Sequence, residues 1–181
     1  RLSQQTWLRH FDDRVGLSID EAQRLASIPS AELPARERLL ADRADHVVSW
    51  GNRRPPVERS NPENRWGFDM DLPQNQRNLG ELHNLAIRRG TLTDEDRFRI
   101  NEHIVQTLIM LRSLPWPKNL SRVPDIAATH HEKLDGKGYP RRLKAAELSV
   151  EDRIMAIADI FEALTAADRP YKKPKTLSES L

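Results

Sequence analysis

The sequence predicts an all-α domain, and three observations carry that prediction. From residue 79 onward, apolar residues recur at helical spacing in one segment after another. The stretch "SVEDRIMAIADIFEALTAAD" sets Ile154, Ile157, Ile160, Phe161 and Leu164 along one side of a helix. No segment sustains the apolar–polar alternation of a half-buried strand.

The elements follow in chain order. "SIDEAQRLASI" opens on Ser18, carries acidic residues in its first turn and closes before Pro29, as a capped helix does. "LPARERLLADRADHVV" reads as a second helical segment, with Pro34 near its start and leucines on one side. Residues 51–78 are rich in Pro, Asn and Arg and keep no period. At that length they form either an ordered functional loop or a mobile one. "TLTDEDRFRINEHIVQTLIMLRSL" pairs Thr93 as N-cap with Asp96 three residues on. Leu92, Phe98, Ile100, Ile104, Leu108 and Leu111 supply its apolar residues before Pro115 ends it. "VPDIAATHHEKLD" reads as a further helix, broken by the loop of Gly136 and Gly138. The chain divides into residues 1–78, a helical segment with its long loop, and residues 79–181, a helical core. It opens at Arg1 and stops where "TLSESL" starts a helix, so it is read as a fragment of something longer, truncated at its C-terminus.

Composition narrows the function classes. The 181 residues suit one domain, or one with an appendage, and suffice to bury a real core. Basic and acidic residues nearly balance, 29 against 27, which removes any strong pull toward a nucleic-acid polymer or a membrane surface. The absence of cysteine excludes disulfides and thiolate metal sites and is compatible with a reducing cytoplasm. No apolar run reaches the ~18 residues of a membrane span.

The chemistry gathers in histidines. Without thiolates, imidazole and carboxylate ligands suit Fe, Mn or Zn. His103 lies within one helix, His130 and His131 end another, and Asp159 sits in the long apolar one. Three helices can converge such side chains on one point. Adjacent helical residues point about 100° apart, so His130 and His131 serve different ions or flank one site. A single helical histidine such as His103 also reads as a surface or satisfied core residue. Asp159, between Ala158 and Ile160, demands a partner, since a buried carboxylate needs a cation or donors. His10 and His46 have no companions at ligand spacing and read as solvated.

These residues resemble a known family. "HHEKLDGKGYP" is similar to the HHExxDGxGYP signature of HD-GYP domains, and "DRIMAIADIFEALTAADRPYK" to the stretch that follows it there. "GTLTDEDRFRINEH" looks like the segment between that family's HD dyad and its next histidine ligand. The resemblance covers roughly residues 79 to 181. It implies a helical bundle of the HD-GYP type with a centre of two or three metal ions, often Fe or Mn. It also implies hydrolysis of cyclic di-GMP and partnership with GGDEF-type domains through the GYP loop. Carried over, His83, His103, His130, His131 and Asp159 fall on metal-ligand positions, with His130, His131 and Asp159 at the catalytic centre. Arg169 and Lys172 fall where the family holds phosphate, a task suited to a guanidinium fork and an ammonium. Tyr139 is either a substrate contact or a packing residue between turn-forming Gly138 and Pro140.

The dyad departs from the pattern. Where the family reads HDxGK, this chain has His83, Asn84, Leu85, Ala86 and Ile87. A bridging carboxylate shares negative charge between two cations, whereas the Asn84 amide offers one weak neutral donor. Ile87 removes a phosphate contact, and Glu162 stands where the family commonly has Asp. The family's upstream glutamate and histidine ligands have no clear match. The site is thus expected to hold one or two ions, or none. Two functions follow. One is a cyclic di-GMP signalling domain with impaired or absent hydrolysis, acting through ligand or partner binding. The alternative is an active metal-dependent cyclic di-GMP phosphodiesterase.

Overall fold

A computed structural model describes residues 2–88, 90–167 and 173–180. Among them the chain is mainly helical, with two small sheets, and divides into two compact units.

The first unit comprises Arg1–Arg54 and Pro73–Arg97. Strand β1 (Thr6–Arg9) pairs antiparallel with β2 (Ala35–Arg38), Thr6 opposite Arg38. Arg9 is only 3% exposed, so its guanidinium must be answered from within the protein. Its Nε donates to Glu37 Oε1 at 2.9 Å, Asp13 lies 3.4 Å from Nη2, and the Phe11 carbonyl accepts from Nη1. Helix α1 (Ile19–Leu25) starts as the sequence predicts. Ser18 accepts from the Glu21 amide while Glu21 reaches back to the Ser18 amide. A second ribbon pairs β3 (Val47–Val48) with β4 (Arg77–Asn78). Helix α2 (Glu81–Leu85) follows. Its free amides at Leu82 and His83 are taken by Asp42 Oδ1, at 3.0 and 3.1 Å.

The helix expected across residues 33–48 does not form. That stretch holds β2, a 3₁₀ turn at Ala44–His46 and β3. Its alternating ARER charges fit a ribbon edge, where Glu37 meets buried Arg9 from across the strand pair. Strands of two and four residues are too short to show a sustained period.

The second unit comprises Pro55–Leu72 and Phe98–Leu181. The division falls within helix α3 (Asp94–Asn101), which is capped by Thr93, whose Oγ1 accepts from the Asp96 amide at 3.1 Å. It breaks at Glu102 before α4 (His103–Arg112). Helix α5 (Val123–Ala127) packs on α4 and on α6 (Val150–Thr165), and α6 on α7 (Leu177–Ser180). Phe98, Ile104, Val105 and Leu108 supply the buried apolar face. The expected apolar side of α6 is largely open in this unit: Ile154, Ile157 and Ile160 are all exposed.

The proline-rich segment proves ordered across residues 55–72. Val57, Phe68 and Met70 are buried. Asn64 ties the loop to itself by donating from Nδ2 to the Glu58 and Phe68 carbonyls and accepting from the Phe68 amide. The Asp69 amide then donates to the Pro140 carbonyl at 2.7 Å. Thus a segment without periodicity is fixed by one amide side chain and by its bond to the GYP loop.

That loop is tightly specified. Gly138 is buried, and a Cβ there would lie 2.4 Å from the Glu132 Cα and the Lys133 amide nitrogen, closer than any side chain allows. Glu132, also buried, accepts from the amides of Arg141 (2.7 Å) and Leu143 (2.9 Å). A bridge between Asp135 and Lys144 closes the hairpin.

Candidate metal centre

Three histidines meet in the second unit. One nitrogen each from His103, His130 and His131 lies within 4.8 Å of the others. The ring centroids are 4.1 Å apart for His130–His131 and 5.2 Å for His103–His131.

Helix ends aim these rings. His103 is the first residue of α4, not a mid-helix residue, and its Nδ1 meets the Ile100 carbonyl at 2.6 Å. His130 and His131 lie past the end of α5, which stops at Ala127 and not at the histidines that the sequence reading places at its end. His130 Nδ1 meets the Ala127 carbonyl at 2.8 Å. A carbonyl only accepts, so both Nδ1 atoms carry a proton, which makes Nε2 the ligating position of each ring. Fixing the tautomer through the far nitrogen is how proteins prepare histidine for a metal.

His131 completes the argument. Its Nε2 lies 3.3 Å from His103 Nε2, which already bears a lone pair. Either His131 donates a proton across that gap, or both nitrogens face a cation. Burial, then the neighbouring His130, holds the His131 pKa down to about 4, with His103 adding to the shift and Asp159 opposing it. His131 is therefore neutral at neutral pH, the form that ligates. Three imidazoles converging on one point fit a first-row divalent ion.

Asp159, on α6, lies outside the group of three, yet its charge acts on both His131 and Tyr139. Tyr139 stacks on His131 with centroids 4.7 Å apart and planes inclined by 27°. Burial, reinforced by Asp159, pushes its phenol up to about 12, so it stays protonated. His83 belongs to the first unit, where its Nε2 is 3.5 Å from buried Glu95. Asn84 spends its amide on local structure, donating to the carbonyls of Asn78 (3.1 Å) and Gly80 (2.7 Å). Arg169 and Lys172 lie outside the described residues. Sequence reasoning missed Glu132. The signal was present: a Gly-rich loop right after two histidines leaves amides that need an acceptor, and a carboxylate stands beside them.

A helical unit carrying clustered histidines at helix ends is the architecture of an HD-type metal-binding domain, and residues 34–181 match the HD domain family, to which this chain belongs. Within it, the chain is a member of the HD-GYP group. It is 38% identical over 104 residues to a cyclic di-GMP phosphodiesterase of Thermotoga maritima, covering 56% of this chain and 27% of that protein. It is 58% identical over 113 residues to 3'3'-cGAMP-specific phosphodiesterase 2 of Vibrio cholerae, covering 60% and 22%. A cyclic di-GMP phosphodiesterase of Vibrio cholerae is 40% identical over 98 residues, covering 52% and 20%. The chain spans about a quarter of the length of such relatives. No helix among the described residues is long and apolar enough to cross a membrane.

Proposed function

We propose that this chain is a cyclic di-GMP signalling domain that binds metal and cyclic dinucleotide and hydrolyses the ligand poorly or not at all. The observation that carries the reading is the convergence of His103, His130 and His131 with two tautomers fixed by backbone carbonyls. In this reading these three hold Fe or Mn, with Asp159 adding negative charge. A bound ion there supplies Lewis acidity to a phosphate oxygen and acidifies water. The chain's own groups do the rest: Tyr139 offers a neutral phenol O–H beside His131, and Asp159 balances the added positive charge. The roles of His83, Arg169 and Lys172 rest on the family resemblance alone, and the division at residue 79 on the change in sequence pattern there. A GGDEF-type partner docks on the exposed tip of the GYP loop, at Leu134, Asp135 and Lys137. A cytoplasmic location belongs to the same reading, in keeping with the absence of cysteine.

Poor hydrolysis is argued from Asn84, a neutral amide whose N–H groups already serve two carbonyls. The rival reading is an active phosphodiesterase on cyclic di-GMP. Similarity to a protein named for 3'3'-cGAMP favours testing that nucleotide beside it. The test loads the chain with Fe or Mn anaerobically, counts ions per chain, and measures binding and turnover of both nucleotides. Binding without turnover is the expected result. Turnover that disappears in Asp159→Ala establishes the rival, and absence of both metal and nucleotide binding removes both. Asn84→Asp raises metal content if the dyad is the defect. Its melting temperature is measured alongside, because a carboxylate cannot donate to Asn78 and Gly80.

A further inference from the structure

The second unit holds a cavity of about 800 Å³ that none of the three histidines lines. Its walls come from the ordered 55–72 loop, from Arg112 and Asp125, and from the hairpin after the GYP signature. That volume lies in the range of small-molecule sites, roughly 300–1,000 Å³. Six cationic and three anionic side chains line it.

The anions are already engaged. Asp125 takes Arg112 at 2.5 Å and Arg141 at 3.1 Å, and Asp69 is 3.6 Å from Arg59. Glu147 accepts from the Lys144 amide at 2.9 Å. Burial raises the Asp125 carboxyl, but the bonds from Arg112 and Arg141 outweigh it, so the acid stays ionised and holds both guanidiniums in place. Positive charge is left over. Among the described residues, the side chains of Arg65 and Lys144 form no ion pair, although both line the cavity. Arg141 Nε is buried with no acceptor, an orphaned donor on the same wall. Trp66 adds an aromatic surface, with the Arg112 guanidinium 5.7 Å from its ring centre.

We propose that this cavity binds a phosphoryl-bearing anion at a place separate from the three histidines. Guanidinium forks from several directions suit the tetrahedral oxygens of phosphate, and the six cations outnumber the three carboxylates that line the same cleft. The cavity is prepared for it on one wall, since Arg141 is held at its amide by Glu132 and at its guanidinium by Asp125, while the backbone at Lys144 is held by its bridge to Asp135. The cavity is an open cleft whose volume fits a mononucleotide.

The test is calorimetric titration of the chain with inorganic phosphate, guanosine 5'-monophosphate and a poly-glutamate peptide. Each is repeated on Arg65→Glu/Lys144→Glu and on His131→Ala, with circular dichroism confirming that the variants fold. Phosphate or nucleotide affinity is expected to fall about tenfold or more in the double variant and to hold in His131→Ala. Equal affinity for phosphate and nucleotide assigns recognition to the phosphoryl group, and tighter nucleotide binding extends it to the base over Trp66. Unchanged binding in the double variant, loss in His131→Ala, or binding of the peptide alone overturns the proposal.

Discussion

Removing the Glu132 carboxylate should loosen the GYP loop, and the size of the effect follows from its contacts. Glu132 is buried and accepts from two backbone amides, Arg141 at 2.7 Å and Leu143 at 2.9 Å. Hydrogen bonds to a charged group contribute about 1.5–3 kcal/mol each. Burial of the charge opposes them, and it is burial that lifts the Glu132 carboxyl above its ordinary range despite both amides. A net loss of about 3 kcal/mol is expected for Glu132→Ala, because two donors are then left without an acceptor. For a chain of this size that corresponds to a fall of roughly 6–12 °C in melting temperature. Glu132→Gln is the sharper test. It keeps the shape and removes the buried charge, but turns an NH₂ group toward one of the two donor amides. If the carboxylate acts as an acceptor clamp, Gln destabilises nearly as much as Ala. Thermal unfolding followed by circular dichroism reads both. A Gln variant as stable as the parent would refute the clamp, since it would mean that volume alone matters at this position.

Three further outcomes are expected. Asp152 accepts from Ser149 and Thr129, and although burial raises its carboxyl, those bonds leave it below the usual range. A group with a depressed folded pKa contributes stability above its unfolded value, about pH 4, and loses it as pH falls through the folded one. Asp152→Asn should therefore flatten the acid side of a stability–pH curve, and an unchanged acid limb would count against this account. Asn64→Ala removes three bonds that order residues 55–72. It should cost about 2–4 kcal/mol in chemical denaturation and speed amide exchange in that segment. His130→Ala should cut metal bound per chain by roughly tenfold or more while leaving the fold intact, as elemental analysis and circular dichroism would show together.

What the sequence reveals here depends on how local each interaction is. The caps at Ser18 and Thr93 need only residues three apart, and both form as read; the structure adds a third of the same kind at Ser149. The histidine cluster is also legible, because a contiguous signature supplies two of its members. The β1–β2 ribbon is not, since its key contact joins Arg9 to Glu37, far apart in the chain and unremarkable in either context. The loop at 55–72 is hidden for another reason: Asn64 organises it through backbone carbonyls, which carry no residue identity. The end of α5 is hidden in the sequence because "ATHH" continues a helical composition. The structure instead uses the Ala127 carbonyl at the helix end to hold His130.

Gly138 changes how membership in this family should be weighed. Its backbone lies where any side chain would strike Glu132 and Lys133, so the hairpin cannot close around another residue. The same holds for the bonds that pin the loop, from Arg141 and Leu143 to Glu132 and from Asp69 to Pro140, all of them independent of any ion or nucleotide. The glycine of the signature therefore reports that the hairpin is built, and a chain that had lost all catalysis would be held to it. A survey that sorts working enzymes from silent relatives gains little from this motif. It gains more from the nitrogen donors at 103, 130 and 131 and from the residue at 84.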